Sequence, residues 1–204
     1  MLVALASCHR AAQTPPEAPE RALGVYAAQR VVVTPTAHVR VADSLGWVQQ
    51  LGGAKSVARR LDSNMVALFD VRGLGSRWIF PAELTRAYER NRTYATDPYQ
   101  LVVEQVRGAK FKTGERYGEP LSSQLRTMIA LHEDARFVLL PADLRFERDG
   151  RAGRAGRAVL RVALLDPRFA EARWVGDVRG DAADGGAQAL STLAMRVADL
   201  FVAP

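Results

Sequence analysis

Three histidines, one cysteine and a few spaced carboxylates are the residues that could do chemistry in this chain. His9, His38 and His132 lie far apart, and no carboxylate stands at ligand spacing to any of them, so the sequence offers no metal centre. His132 falls on an apolar helical stripe and is expected at the edge of a core. A Ser-His-Asp arrangement can assemble from distant positions, but the chain has no Gly-x-Ser-x-Gly elbow. Asp143 and Glu147 share one face of an extended run at period two. A catalytic carboxylate pair is one reading of them; a solvated strand face is the ordinary one. Gly73 and Gly75 suggest a phosphate loop, yet the third glycine and the Lys-Ser/Thr that such a loop needs are missing. Cys8 is the sole cysteine, which excludes an internal disulfide and a cysteine-rich metal site. No cofactor is implied, and the chain reads as non-catalytic.

A second constellation mixes aromatic and basic residues. Trp78, Phe80, Tyr88, Tyr94 and Tyr99 interleave with Arg77, Arg86, Arg90 and Arg92. Aromatic plus arginine is the composition of protein-interface hot spots and of single-stranded nucleic-acid platforms. The plainer alternative places the aromatics in the core and the arginines in solvent. Arg77, Trp78, Phe80, Tyr88 and Tyr94 are therefore the candidate protein interface. The formal net charge of +6 raises nucleic acid or an anionic membrane as partners. Lysine occurs only at 55, 110 and 112, however, so arginine supplies 25 of the 28 basic residues, scattered along the chain. That pattern reads as the coding bias of a GC-rich genome, and nucleic acid is not the expected partner.

The elements that must position these residues can be read from periodicity. At 204 residues with 48% hydrophobic content, one domain plus a tail is expected. No apolar run reaches the roughly 18 residues of a membrane-spanning helix. Residues 29–35 form a β-branched run closed by proline, expected as a first and central strand. Residues 53–70 place Val57, Leu61, Met65 and Leu68 on one helical face. Residues 77–80 are expected as a short strand, and Pro81 opens a helix carrying Leu84, Ala87 and Tyr88. Asp97-Pro98 is expected to cap another, with Gln100 completing a capping box and Tyr99, Val102, Val103 and Val106 inward. A loop follows at 109–119, then a helix from Pro120 with Leu121, Leu125, Met128, Ile129 and His132 on one side. Residues 137–147, 158–166 and 172–179 are three extended runs separated by Gly-rich and Asp-Pro turns, an antiparallel meander. The chain closes on an amphipathic helix carrying Leu190, Leu193, Ala194, Val197 and Phe201. The fold class is thus α/β (α+β): a mixed sheet with a three-strand antiparallel meander and helices packed on it.

Leu5-Ala-Ser-Cys8 resembles the bacterial lipobox, in which small residues expose the bond to a signal peptidase and the cysteine thiol takes the lipid. The signal is expected to be truncated: it has no basic n-region, and its apolar core is shorter than the usual roughly 7–15 residues. A frayed terminus with a chance cysteine, and an organellar transit segment, remain open beside it. Residues 9–28 follow as a Pro-rich tether, with the single α/β domain at 29–204. Position 9 is histidine where inner-membrane retention uses aspartate, so the resemblance implies anchoring through Cys8 in the outer membrane, facing the periplasm.

The domain itself resembles the lipoproteins of curli secretion, the penicillin-binding-protein activator lipoproteins and the amino-terminal domain of the Tol-Pal translocation protein. The residues that carry the likeness are Val31-Val-Val-Thr-Pro35, Ala58-Arg-Arg-Leu61 with Met65, Val162-Ala-Leu-Leu-Asp166 and Ala172-Arg-Trp174. The resemblance implies a membrane-anchored envelope module working through protein contacts with an envelope partner or through homo-oligomerisation. The alternative is a soluble enzyme, or a nucleotide- or nucleic-acid-binding α/β protein, with no recognisable motif.

Overall fold

The computed structural model describes residues 21–132, 135–150 and 155–203. Cys8 and His9, the truncated signal and most of the expected tether lie outside them. The architecture is mixed α/β, an open four-stranded sheet in the order β1-β2-β3-β4 with helices on both faces. β1 (Val31–Val33) runs parallel to β2 (Phe137–Arg148), and β2, β3 (Gly156–Asp166) and β4 (Glu171–Arg179) form the antiparallel meander. A parallel pair needs a long crossover, and the helices between β1 and β2 supply it.

β1 is not central. It is an outer strand of the sheet, and it is short because Pro35 has no N–H to extend a ladder. All three valines are buried nonetheless, because residues 78–80 close the free edge. The expected strand there is a single parallel bridge, Val32 to Ile79: Val33 N donates to Ile79 O at 2.8 Å and Ile79 N to Val31 O at 2.9 Å.

One face of the sheet carries α2 (Ala54–Val71) and α6 (Gly186–Asp199). α2 buries Val57, Leu61, Met65 and Phe69, while α6 buries Ala189, Leu190, Leu193, Ala194, Val197 and Ala198. They enclose Leu139, Leu144, Leu160, Val162 and Leu164 of the sheet. A short helix, α1 (Trp47–Gln50), sits at one end, with Trp47 edge-on to Phe146 at 5.4 Å between centroids. Gly176 lies under the Trp174 indole, where a Cβ would come within 2.6 Å of two ring carbons. A side chain at 176 would have to displace that ring.

Residues 21–28, expected within the tether, instead fold onto this face. Leu23 is buried against the core and its N–H donates to Leu200 O at 2.9 Å; Tyr26 stands edge-on to Phe137 at 4.9 Å. One leucine and one tyrosine give this stretch enough apolar area to leave water, so the domain begins at least as early as Arg21.

The opposite face is less regular. α3 (Pro81–Arg90), α4 (Glu104–Arg107) and α5 (Leu121–Ala130) cover Val138, Leu140, Ala142, Ala163 and Leu165, helped by Phe111 and Tyr117 from the intervening loop. The expected helix at Asp97 does not form. Asp97 Oδ1 accepts from Tyr99 N at 2.9 Å, a local turn that competes with helix, and helical residues begin only at Glu104. Val103 and Val106 are buried as expected, but Tyr99 and Val102 face solvent.

Pro141 lies inside β2, where it cannot donate to a ladder. The register with β3 shifts between Pro141 and Asp143, so Ala142 is the extra residue of a bulge. The bulge exchanges the two faces along β2. Val138, Leu140 and Ala142 point to the irregular face, as do Asp143, Arg145 and Glu147 beyond them, while Leu144 and Phe146 join the α2/α6 core.

Candidate functional site

The segment after β1 is the element around which polar groups gather. It leaves the sheet at Thr34, whose N–H donates to Leu139 O at 3.0 Å, and then passes over the bulge. Ala37 N donates to Pro141 O and Leu144 N to His38 O, both at 2.9 Å, so the bulged strand and this segment hold one another. α2 fixes the same segment from the other side. Asp62 is nearly buried and accepts from Thr36 N at 2.9 Å and Thr36 Oγ1 at 2.6 Å. Burial outweighs those bonds and pushes the Asp62 carboxyl up to about 6.

Asp143 is wholly buried beneath this segment. Arg40 Nε donates to its Oδ2 at 2.7 Å, with Arg40 Nη2 at 2.6 Å from the same oxygen. Oδ1 accepts no hydrogen bond among the described residues; Arg107 Nε of α4 lies 3.5 Å away and His38 Nε2 3.9 Å away. Two guanidinium groups therefore compensate a carboxylate that could not be buried alone. Burial, followed by the Arg107 charge, holds the His38 imidazole below its ordinary range, so His38 faces Asp143 as a neutral ring at pH 7.

His38 also lines a cavity of about 680 Å³. Its walls are Thr36 to Val39 with Val41, the first two turns of α2 with Lys55 and Arg59, and the turn carrying Asp97 and Tyr99. This volume falls within the range of small-molecule sites.

The remaining sequence candidates do not converge. Asp143 is not on a solvated strand face, and it does not pair with Glu147. The bulge turns it beneath the segment after β1, whereas Glu147 accepts from Arg145 Nε at 2.8 Å with Arg179 at 4.0 Å. His132 is half-buried beside Leu84, Tyr88 and Pro98, its pKa lowered mainly by burial, and its Nε2 makes no hydrogen bond among the described residues. Of the candidate interface, Trp78 and Phe80 are buried. Trp78 is wedged between Phe69 at 4.9 Å and Phe201 at 4.7 Å, so it serves the core and cannot meet a partner. Arg77 and Tyr94 are exposed and Tyr88 is half-buried. Gly73, with φ +77°, ends α2 as a turn and cradles nothing. Among the described residues no group of three His, Cys, Asp or Glu is placed to hold a metal ion.

Sequence reasoning missed the cavity because its residues come from three separate stretches. Their one signal was Tyr99, an aromatic set among arginines.

No family model matches the chain, and no curated protein matches it. Two crystal structures of PelC from Paraburkholderia phytofirmans are similar, both described as dodecamers. One is 14% identical over 90% of this chain and 93% of PelC. The other, of a single-residue variant, is 10% identical over 86% and 91%; each superposes with a TM-score of 0.40. At that level the likeness carries no argument about function, which rests on the residues themselves.

Proposed function

We propose that this chain is a lipid-anchored module of the bacterial envelope, attached through Cys8 and acting by contact with an envelope protein or with copies of itself. The observation that carries the reading is Leu5-Ala-Ser-Cys8, small residues leading to the only thiol in the chain. A Pro-rich stretch, Thr14-Pro-Pro-Glu-Ala-Pro-Glu20, then separates that thiol from the folded domain, as an anchor that must clear a membrane surface requires. His9 in place of aspartate favours the outer membrane, with the domain in the periplasm.

Contact without catalysis is the role proposed for the domain. Its two fully buried acids are held by guanidinium groups, Asp143 by Arg40 and Arg107 and Asp166 by Arg173 and Arg136, and the buried Asp62 is tied to Thr36. Large apolar side chains stand exposed at Val25, Val71, Tyr94 and Phe169, where a partner could cover them. The test is metabolic labelling of the full chain in a bacterial host with an alkyne-bearing palmitate. The wild type should label and enter the membrane fraction, and Cys8→Ser should do neither. Equal labelling of Cys8→Ser, or an unlabelled wild type, removes the anchor and the reading with it.

A further inference from the structure

The cavity beside His38 combines free cations with exposed apolar surface. Lys55 and Arg59 lie one turn apart on the exposed side of α2, a like-charged pair that repels along a helix. Neither makes an ion pair among the described residues, whereas Arg40 and Arg107, beside His38, both pair with Asp143. α2 opens on Gly53 with no side-chain cap, so its first-turn amides add a partial positive charge to the same wall. Among the described residues that line it, Asp97 is the one acid, and its Oδ1 already serves the Tyr99 N–H. Val41 and Tyr99, 71% and 55% exposed, also line the cavity.

We propose that this cavity binds a small amphipathic organic anion, its single carboxylate or phosphate held between Lys55 and Arg59 and its apolar body lying against Tyr99, Val39 and Val41. Asp97 opposes a second charge, which selects against polyanions. His38, neutral at pH 7 and backed by Asp143, offers the bound molecule a polar contact without adding charge. The site is independent of the Cys8 anchor and holds whether or not the chain is lipidated.

The test is an NMR titration of the ¹⁵N-labelled full chain with 2-naphthoate, with 2-naphthamide as the uncharged isostere and inorganic phosphate as the charge without a body. 2-Naphthoate should saturate, moving amides at 36–41, 54–59, 97, 99 and 100. The amide and the phosphate should each bind at least about tenfold more weakly, since loss of a charge-assisted contact or of the buried ring costs roughly 1.4 kcal/mol or more. Lys55→Gln with Arg59→Gln should weaken 2-naphthoate by a similar factor, as should Tyr99→Ser separately, while Arg77→Gln on another surface should leave it unchanged. Shifts that do not saturate or fall elsewhere, an amide that binds as tightly as the acid, or a double variant with unaltered affinity would each overturn the proposal.

Discussion

The two faces of the sheet are built on different principles. Under α2 and α6 the core is apolar and continuous: Phe69, Trp78 and Phe201 interlock, and four leucines of β2 and β3 fill the space beneath. On the other face only the end near β1 is apolar, covered by α3, α4 and α5. The far end is a lattice of charge. Arg145 bridges Glu147 and Asp177, and Arg161 turns from the sheet to donate to the carbonyls of Val106, Gly108 and Phe111. One guanidinium there does the work that a helix does on the regular face, satisfying backbone groups that α4, only four residues long, leaves over. A helical face resists disruption because many small contacts share the load. The loop opposite has fewer ties, the Arg161 guanidinium at its start and backbone bonds to Ala170 and Ala172 at its end.

The largest effect should come from the regular face. Phe69→Ala removes the ring that touches Trp78, Phe80 and Phe201, and should cost about 3–5 kcal/mol in urea unfolding. A loss below about 1 kcal/mol would mean that the aromatic wedge is not what joins α2 to the C-terminal turn.

Arg161→Met tests the clamp. The carbonyls of Val106 and Phe111 lose the Arg161 donor, Gly108 O keeps only the Phe111 N–H, and Asp177 loses a partner, so stability should fall by roughly 2–3 kcal/mol. Amides between 104 and 117 should exchange faster while those of α6 keep their protection. Arg161→Lys should recover only part of the loss, because the three donors of an ammonium sit on one nitrogen, whereas Arg161 reaches its acceptors from Nε, Nη1 and Nη2. Uniform acceleration of exchange across both faces would show that the clamp is not local.

The smallest effect lies where α2 meets the segment after β1, and it depends on pH. The folded chain holds the Asp62 proton more tightly than the unfolded chain does, because burial raises that carboxyl to about 6. The contribution of Asp62 to stability is therefore fullest below about pH 4, and it declines by on the order of 2 kcal/mol as pH rises toward 6. Asp62→Asn keeps an acceptor for Thr36 and should flatten that slope, which denaturant melts at pH 4, 5, 6 and 7 would reveal. An unchanged slope would place the titration elsewhere.

Much of the regular face was legible in the chain. Residues 53–70 and 186–199 carry their apolar side chains at helical spacing, and the meander strands end within two residues of their expected limits. The irregular face was not legible, because its structure is not periodic. Asp97-Pro98 carries a capping signal, yet the Asp97 side chain completes a turn there; Phe111 and Tyr117 are buried from a polar loop. Arg77, Trp78, Phe80, Tyr88 and Tyr94 looked like one surface because they are near in sequence. Trp78 and Phe80 are core, since the stretch from 78 to 80 seals the edge of β1 and its side chains have nowhere else to go.

Local pattern alone determined the α/β class, the meander and the amphipathic helices, because period and turn chemistry act over a few residues. Only the tertiary structure decided that β1 is an outer strand, that Asp143 is buried between Arg40 and Arg107, and that Lys55, Arg59 and Tyr99 share a cavity. Those outcomes hang on the bulge at Pro141 and on contacts between residues tens of positions apart, and no local pattern of residues encodes them.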